Sequence, residues 1–312
     1  MNVAWAASTT RGRGLARRRL GRARALELAR LESLDAALTE LARTPYGRDV
    51  RPGMDLAAAR HAVSSVLLWH LRVLAGWGPA LGAGRLSTLV AGFEAANISG
   101  HLAALDGRGT RPVFDLGSMA GVWPHVARTT SAGDVRRVLA ASPWGDPGTE
   151  DFAGIRSALR FAWARRVAQA APEAATWAAA GAALALARSL AVGAPPAAGS
   201  SAARDVTTVL GARWQRATSP DELTRALAPS LRWVFAAEEP GGTEPALWRA
   251  EARWWARVEA DAARLAAPSR PDPGAAVGVA GLLGTDAWRV RGALEVAARG
   301  GGPLAEVLDA VA

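Results

Sequence analysis

The sequence contains no cysteine and no lysine. The first absence removes disulfides, thiolate zinc ligands and cysteine nucleophiles together, and it fits a reducing compartment. The second is as restrictive. A Walker A loop needs its Gly-Lys-Ser/Thr step to reach the terminal phosphates, and a Schiff-base enzyme needs an amine, so neither chemistry is open to this chain. Tyrosine is nearly missing, with 1 copy against 13 tryptophans. β-Branched residues are sparse and no apolar–polar alternation is sustained, which argues against sheets and for an all-α protein. The most apolar run, 174–187, is alanine-rich, ends at Arg188 and is too short to span a bilayer.

The 312 residues are 50% apolar, enough for two or three domains with cores of their own. All 37 basic residues are arginine, the habit of a GC-rich genome, and they outnumber the 28 acids to leave a formal charge of +9. That surplus favours an anionic partner or membrane surface. Seven arginines precede the first acid, Glu27. This start lacks the apolar core of a secretory signal and reads as a basic first helix with solvated guanidinium groups.

Two patterns repeat in step. The first is an acid, an apolar β-branched residue at +4 and glycine at +6: Glu94, Ile98, Gly100; then Asp205, Val209, Gly211; then Asp286, Val290, Gly292. The second is a serine-led helix running into a turn of hydroxyl, proline, aromatic and glycine. Ser33 leads to Thr44-Pro45-Tyr46-Gly47, and Ser131 leads to Ser142-Pro143-Trp144-Gly145. A third copy opens at Ser219, with Pro220 at N1 and Glu222 at N3 as a capping box. Repetition of this kind predicts three copies of one helical unit, at 1–110, 111–217 and 218–312. The glycines at +6 are expected where helices cross closely, because a residue without Cβ permits it.

Within this frame Asp55 opens a long helix with Leu56, Val63, Leu67, Leu71 and Leu74 on one stripe, broken by 76–84, with the next helix running from about Arg85 to Leu105. Further helices are expected at Phe152–Ala170, 174–187, Asp205–Arg216, 243–265, Asp286–Arg299 and Pro303–Val311, with loops at 194–200 and Pro268–Gly274.

Catalytic and metal constellations are not found. His61, His70, His101 and His125 form no HExxH or other metal-ligand spacing, no GxSxG elbow occurs, and Glu238-Glu239 read as a solvated face. Trp254 and Trp255 are adjacent, so on a helix they point about 100° apart and cannot form one stacking platform; they read as fillers between helices. No catalytic residue, metal or cofactor is expected.

These repeated residues resemble the C-type central-rotor component of archaeal and bacterial A/V-type ATPases, the relative of the d-type component of eukaryotic V-ATPases. The resemblance rests on an arginine-rich helix (Arg11–Arg24), a leucine-rich segment (Leu28–Leu41), the turn Thr44–Gly47, and Glu94-Ala95-Ala96-Asn97-Ile98. At the far end it rests on Asp286–Arg299, Gly300-Gly301-Gly302 and Pro303–Val311, and the segments 142–148, 247–255 and 286–301 resemble actinobacterial members. The resemblance covers nearly the whole chain. It implies a funnel-shaped protein of three pseudo-threefold-related helical units, non-catalytic and peripheral at the cytoplasmic face of the membrane. Its partners would be the rotor-ring proteolipids and the central stalk, with membrane association indirect, no nucleic acid, and Arg17, Arg18 and Arg19 as the proposed interface. The alternative is an arginine-rich helical module binding nucleic acid or anionic lipid.

Overall fold

The computed structural model describes residues 3–236, 247–267 and 272–301, and every regular element among them is helical. In chain order the helices are α1 (Val3–Arg17), α2 (Gly21–Ala29), α3 (Leu34–Leu41), α4 (Leu56–Trp77), α5 (Ala80–Leu105), α6 (Trp123–Val126) and α7 (Ala132–Ala140). They continue with α8 (Phe152–Ala170), α9 (Ala175–Ala191), α10 (Ser201–Leu210), α11 (Pro220–Ala226), α12 (Leu247–Ala266) and α13 (Pro273–Ala297). The residues Glu238-Glu239 and the final segment Pro303–Val311 lie outside the described residues, as does most of the loop expected at Pro268–Gly274.

The starts follow the chemistry expected of them. The side chains of Ser33, Asp55, Ser131, Asp151, Ser200 and Ser219 each accept a backbone N–H in the first turn of α3, α4, α7, α8, α10 and α11. At α11 the Glu222 carboxylate reaches back to Thr218, accepting its N–H and its hydroxyl at 2.8 Å each, one residue before the N-cap itself. Several boundaries differ from expectation: α10 runs Ser201–Leu210 and not Asp205–Arg216, because Ser200 caps its start and Gly211 at φ 82° ends it. The break after α4 shrinks to Gly78 and Pro79, because α5 starts at Ala80. α13 begins at Pro273, capped by Asp272, so the third acid frame sits in the middle of a 25-residue helix and does not open one.

Packing gathers the chain into two compact units, Met1–Leu86 with Trp255–Ala312 and Ser87–Trp254. Packing and motif repetition therefore divide the chain differently. In the first unit α13 is the central element and packs against α1, α2, α3 and α4. Its first half is buried all round, including Val277, Val279, Leu282 and Leu283, and its second half adds Val290 and Leu294 to a core with Leu38, Leu41 and Val63. A helix that is apolar on every side is one enclosed by other helices.

In the second unit the alanine-rich α9 lies against α8, α10 and α11. Ala180, Ala183, Leu184 and Leu186 are buried there with Leu223 and Leu227. With the turn before it, α9 forms a 20-residue apolar segment, Pro172–Ala191, long enough by length and composition to cross a membrane and 61% buried within the protein. It outruns the stretch 174–187 because Arg188 and Ser189 stay helical. A second cluster joins Ile98 and Leu102 of α5 to Val135, Leu139 and Ile155. The tryptophan pair diverges: the Trp254 indole N–H donates to the Trp177 carbonyl at 2.9 Å, while Trp255 stacks on Trp288 with ring centroids 5.9 Å apart.

The close helix crossing falls on a glycine outside the repeat. A Cβ on Gly278 would stand 2.7 Å from the Ala262 carbonyl oxygen and 2.8 Å from the Ala266 nitrogen. Gly100 does not play this part, since a Cβ there would meet only Arg111 at 3.7 Å. Nor does Gly211, which ends α10 at φ 82°, a conformation that favours glycine for backbone reasons. Gly292 is half-buried within α13. Gly278→Ala is accordingly expected to destabilise by about 1–3 kcal/mol through overpacking, whereas Gly100→Ala should leave stability unchanged or raise it by up to ~1 kcal/mol. Chemical denaturation of the two variants checks this; equal losses would refute the assignment.

Candidate functional site

The two repeated patterns meet each other. In the first unit the buried Asp286 of α13 accepts three hydrogen bonds: Leu20 N–H at 3.0 Å, Gly21 N–H at 2.7 Å and the Tyr46 hydroxyl at 2.9 Å. In the second unit the buried Glu94 of α5 accepts Gly121 N–H at 2.7 Å, Trp123 N–H at 2.9 Å and the Trp144 indole N–H at 2.9 Å. Each carboxylate thus serves the leading amides of a short helix, α2 or α6, and the polar tip of the turn aromatic. The amides of a helix start carry partial positive charge, so a carboxylate is well placed there.

The turns match in detail. The Thr44 and Ser142 hydroxyls each donate to the carbonyl three residues back, Leu41 or Leu139, at 2.7 Å. Each also accepts the N–H of the aromatic, Tyr46 or Trp144, at 3.2 Å. Pro45 and Pro143 fix the backbone between them. Gly47 is required because a Cβ would fall 1.9 Å from the Ala42 carbonyl oxygen, and Gly145 because its φ is +78°.

The third copy departs. Tyr46 and Trp144 each lie 13 positions after their leading serine (46 − 33, 144 − 131); the same count from Ser219 gives Arg232. That side chain bends back to the Leu227 carbonyl at 3.1 Å. Asp205 in turn accepts from the Arg165 guanidinium at 2.6 Å. Asn97 has its own task beside the second node: its amide donates to the Phe114 carbonyl at 2.9 Å and accepts the Phe114 N–H at 2.8 Å. Neither the pairing of acid with turn aromatic nor the part of Gly21 and Gly121 in delivering amides to it is anticipated from the sequence. The available signal is that both patterns recur together.

Beside the first node lies a cavity of about 290 Å³. Arg18, Arg19 and Arg48 stand around it with Trp69, His70 and the node residues Tyr46 and Asp286. Arg48 covers the Trp69 ring at 4.3 Å. Burial, and then the nearby Arg48 charge, pull the His70 pKa below its usual 6.5, so this imidazole is neutral at pH 7. Of the proposed interface, Arg17 and Arg18 are exposed and Arg19 is half-buried, 3.9 Å from Glu259. The other histidines stay apart; His101 bonds to the Thr129 hydroxyl at 2.9 Å. Among the described residues no three histidine, cysteine, aspartate or glutamate side chains gather as a metal site. No protein-family model matches the sequence, and no curated protein does.

Tyr46 offers a direct test of the node, being the 1 tyrosine in the chain. Its pKa lies well above 10.0, raised first by burial, then by the Asp286 charge and by the hydrogen bond to it. A folded-state pKa above the unfolded one contributes stability that is complete below pH 10.0 and is lost as pH climbs further. Tyrosinate absorbance is therefore expected only together with unfolding, and Tyr46→Phe should cost about 1–3 kcal/mol. An ordinary tyrosinate titration with the helical circular dichroism intact would disprove the buried contact.

Proposed function

We propose that the chain is a non-catalytic adaptor of the central rotor of a V/A-type ATPase. It links the central stalk to the membrane rotor ring and so couples ATP synthesis or hydrolysis to ion transport. The observation that carries this reading is that segments bearing the family resemblance converge on the two carboxylate nodes. Thr44–Gly47 meets Asp286 in one, and Glu94 meets Trp144 in the other. Motifs read from sequence as a family frame are thus fold-determining parts of the molecule. The pseudo-threefold, funnel-shaped arrangement belongs to the same proposal; two complete nodes and an altered copy around Asp205 support it.

An adaptor passes torque through rigid elements and needs no substrate pocket. Long helices pinned by buried hydrogen bonds suit that task. Its place would be the cytoplasmic face, held indirectly, with Arg17, Arg18 and Arg19 turned toward the ring's polar loops and the headgroups near them. Each arginine close to an anionic surface contributes about 1 kcal/mol, screened over roughly 8–10 Å. Attachment should then weaken with salt yet persist, because the apolar centre of a protein interface is insensitive to salt.

Replacing Arg17, Arg18 and Arg19 with glutamine separates this from nucleic-acid binding. The expected result is reduced but salt-tolerant co-purification with the ring and stalk proteins. Tight duplex binding by the wild type, falling steeply with salt through counterion release, and no co-purification with either would show that the adaptor reading is wrong.

A further inference from the structure

We propose that the cavity beside the first node binds a phosphomonoester carrying an apolar body. The two units differ at this point in an informative way. Asp55 and Asp151 cap α4 and α8 alike, accepting the Ala58 and Gly154 N–H groups at 2.7 and 2.8 Å. Counting from those caps, Leu67 of α4 corresponds to Trp163 of α8, each 12 positions on (67 − 55, 163 − 151), and His70 corresponds to Arg166, each 15 on (70 − 55, 166 − 151).

In the second unit these two side chains are large and committed. Trp163 lies against Gly92, whose Cβ would stand 3.1 Å from it, and donates to the Thr88 carbonyl at 2.9 Å. Arg166 lies over the Trp144 ring at 4.5 Å; burial pulls its pKa down and the Glu94 charge opposes that fall. In the first unit a leucine and a neutral imidazole hold those positions, and a cavity of about 290 Å³ remains next to Tyr46 and Asp286. Where Arg166 lies over the aromatic of the second node, a cavity lies beside the aromatic of the first.

The chemistry around that space selects the ligand. Asp286 is already met by three donors, which answer its charge. The exposed Arg18 and Arg48 and the half-buried Arg19 then leave a cationic surplus along the cavity lining. Their acidic neighbours are distant or shared: Glu259 is 3.9 Å from Arg19 and bonded to Arg289 at 2.6 Å, and Asp49 is 3.7 Å from Arg48. Several arginines lining one cavity suit a tetrahedral dianion better than a single carboxylate. The remaining wall is apolar, with Leu15, Val66, Leu67 and Leu283, and the volume sits at the lower end for small-molecule sites. A phosphate head at the arginines with a short aliphatic body inward fits both features. The site shares Arg18 and Arg19 with the proposed ring interface but does not rest on the adaptor reading, and a free phosphomonoester and a phosphatidate headgroup share the chemistry.

The test is calorimetric titration of the full chain with hexyl phosphate, inorganic phosphate and hexanol. Hexyl phosphate should bind at least about tenfold more tightly than inorganic phosphate, since the alkyl chain is buried, and hexanol should show no binding. Arg18→Gln with Arg48→Gln should remove the phosphate contribution. Leu67→Trp, which restores the side chain found in the second unit, should block the body while leaving Arg17–Arg19 intact; His70→Arg is the second filling variant if that one folds poorly. Flotation with phosphatidate vesicles then separates the sources. Flotation abolished by Leu67→Trp identifies the lipid, and titration without flotation identifies a soluble ester; either agrees with the proposal. Equal affinity for hexyl phosphate and inorganic phosphate, or binding untouched by both filling variants, would overturn it.

Discussion

A carboxylate taken out of water must have its charge answered, and in this protein that requirement is met twice by the same three kinds of donor. Two amides at a helix start and one aromatic N–H or O–H converge on Asp286, and again on Glu94. Each node ties a long helix, a short helix and a turn to one point. The arrangement is demanding because its members depend on one another. Removing the acid leaves several buried donors without partners, each costing about 1–3 kcal/mol. Removing the aromatic leaves a buried charge less well satisfied. Apolar burial supplies most of the driving force in such helical packing, but it is tolerant of rotation and sliding, whereas a shared carboxylate fixes which residue faces which.

The arginine usage makes sense in the same terms. Much of the formal charge is engaged in holding backbone and rings. Arg13 donates to the Ala267 carbonyl at 3.1 Å, Arg51 to the Arg48 carbonyl at 2.9 Å, and Arg11 lies 3.2 Å above the Trp77 ring. The nearly buried Arg289 pairs with Glu259. A planar guanidinium with five donors can bridge carbonyls and cover an aromatic face at once, which an ammonium cannot. Whatever mutational bias placed arginine at these positions, the fold uses its shape.

What could be read from the sequence was local. Helix starts at Ser33, Ser131 and Ser219 and the two proline turns follow from capping chemistry, and the structure has them; of the stripe on α4, Val63, Leu71 and Leu74 are buried and Leu56 and Leu67 half-buried. The acids and aromatics of the later nodes were legible as repeated residues, though not as partners. Their separations, 240 positions in one node and 50 in the other, differ too much for spacing to suggest contact. The role assigned to Gly100 and Gly211 failed for a related reason. Whether a missing Cβ admits a neighbouring helix, serves a left-handed turn or has no consequence depends on what lies opposite, and Gly278, Gly211 and Gly100 answer the three ways. The cavity near Arg18 was equally hidden, since its lining comes from α1, α4, α13 and the turn at Pro45, which are far apart in the chain.

The return of α13 to the beginning of the chain sets an order of assembly. Ser87–Trp254 is one continuous stretch, and its core can close while synthesis is still in progress. The first unit cannot do this. α1, α2 and α4 leave the ribosome early, yet the helix they surround is not made until after residue 272. At synthesis rates of about 5–20 residues per second, the basic amino-terminal helices wait on the order of ten seconds or more for their central element. During that interval Leu38, Leu41 and Val63 lack the α13 residues they pack with, whereas the middle segment already holds every residue of its own core. A vectorially made chain thus keeps its cationic start unfinished until α13 arrives to close it.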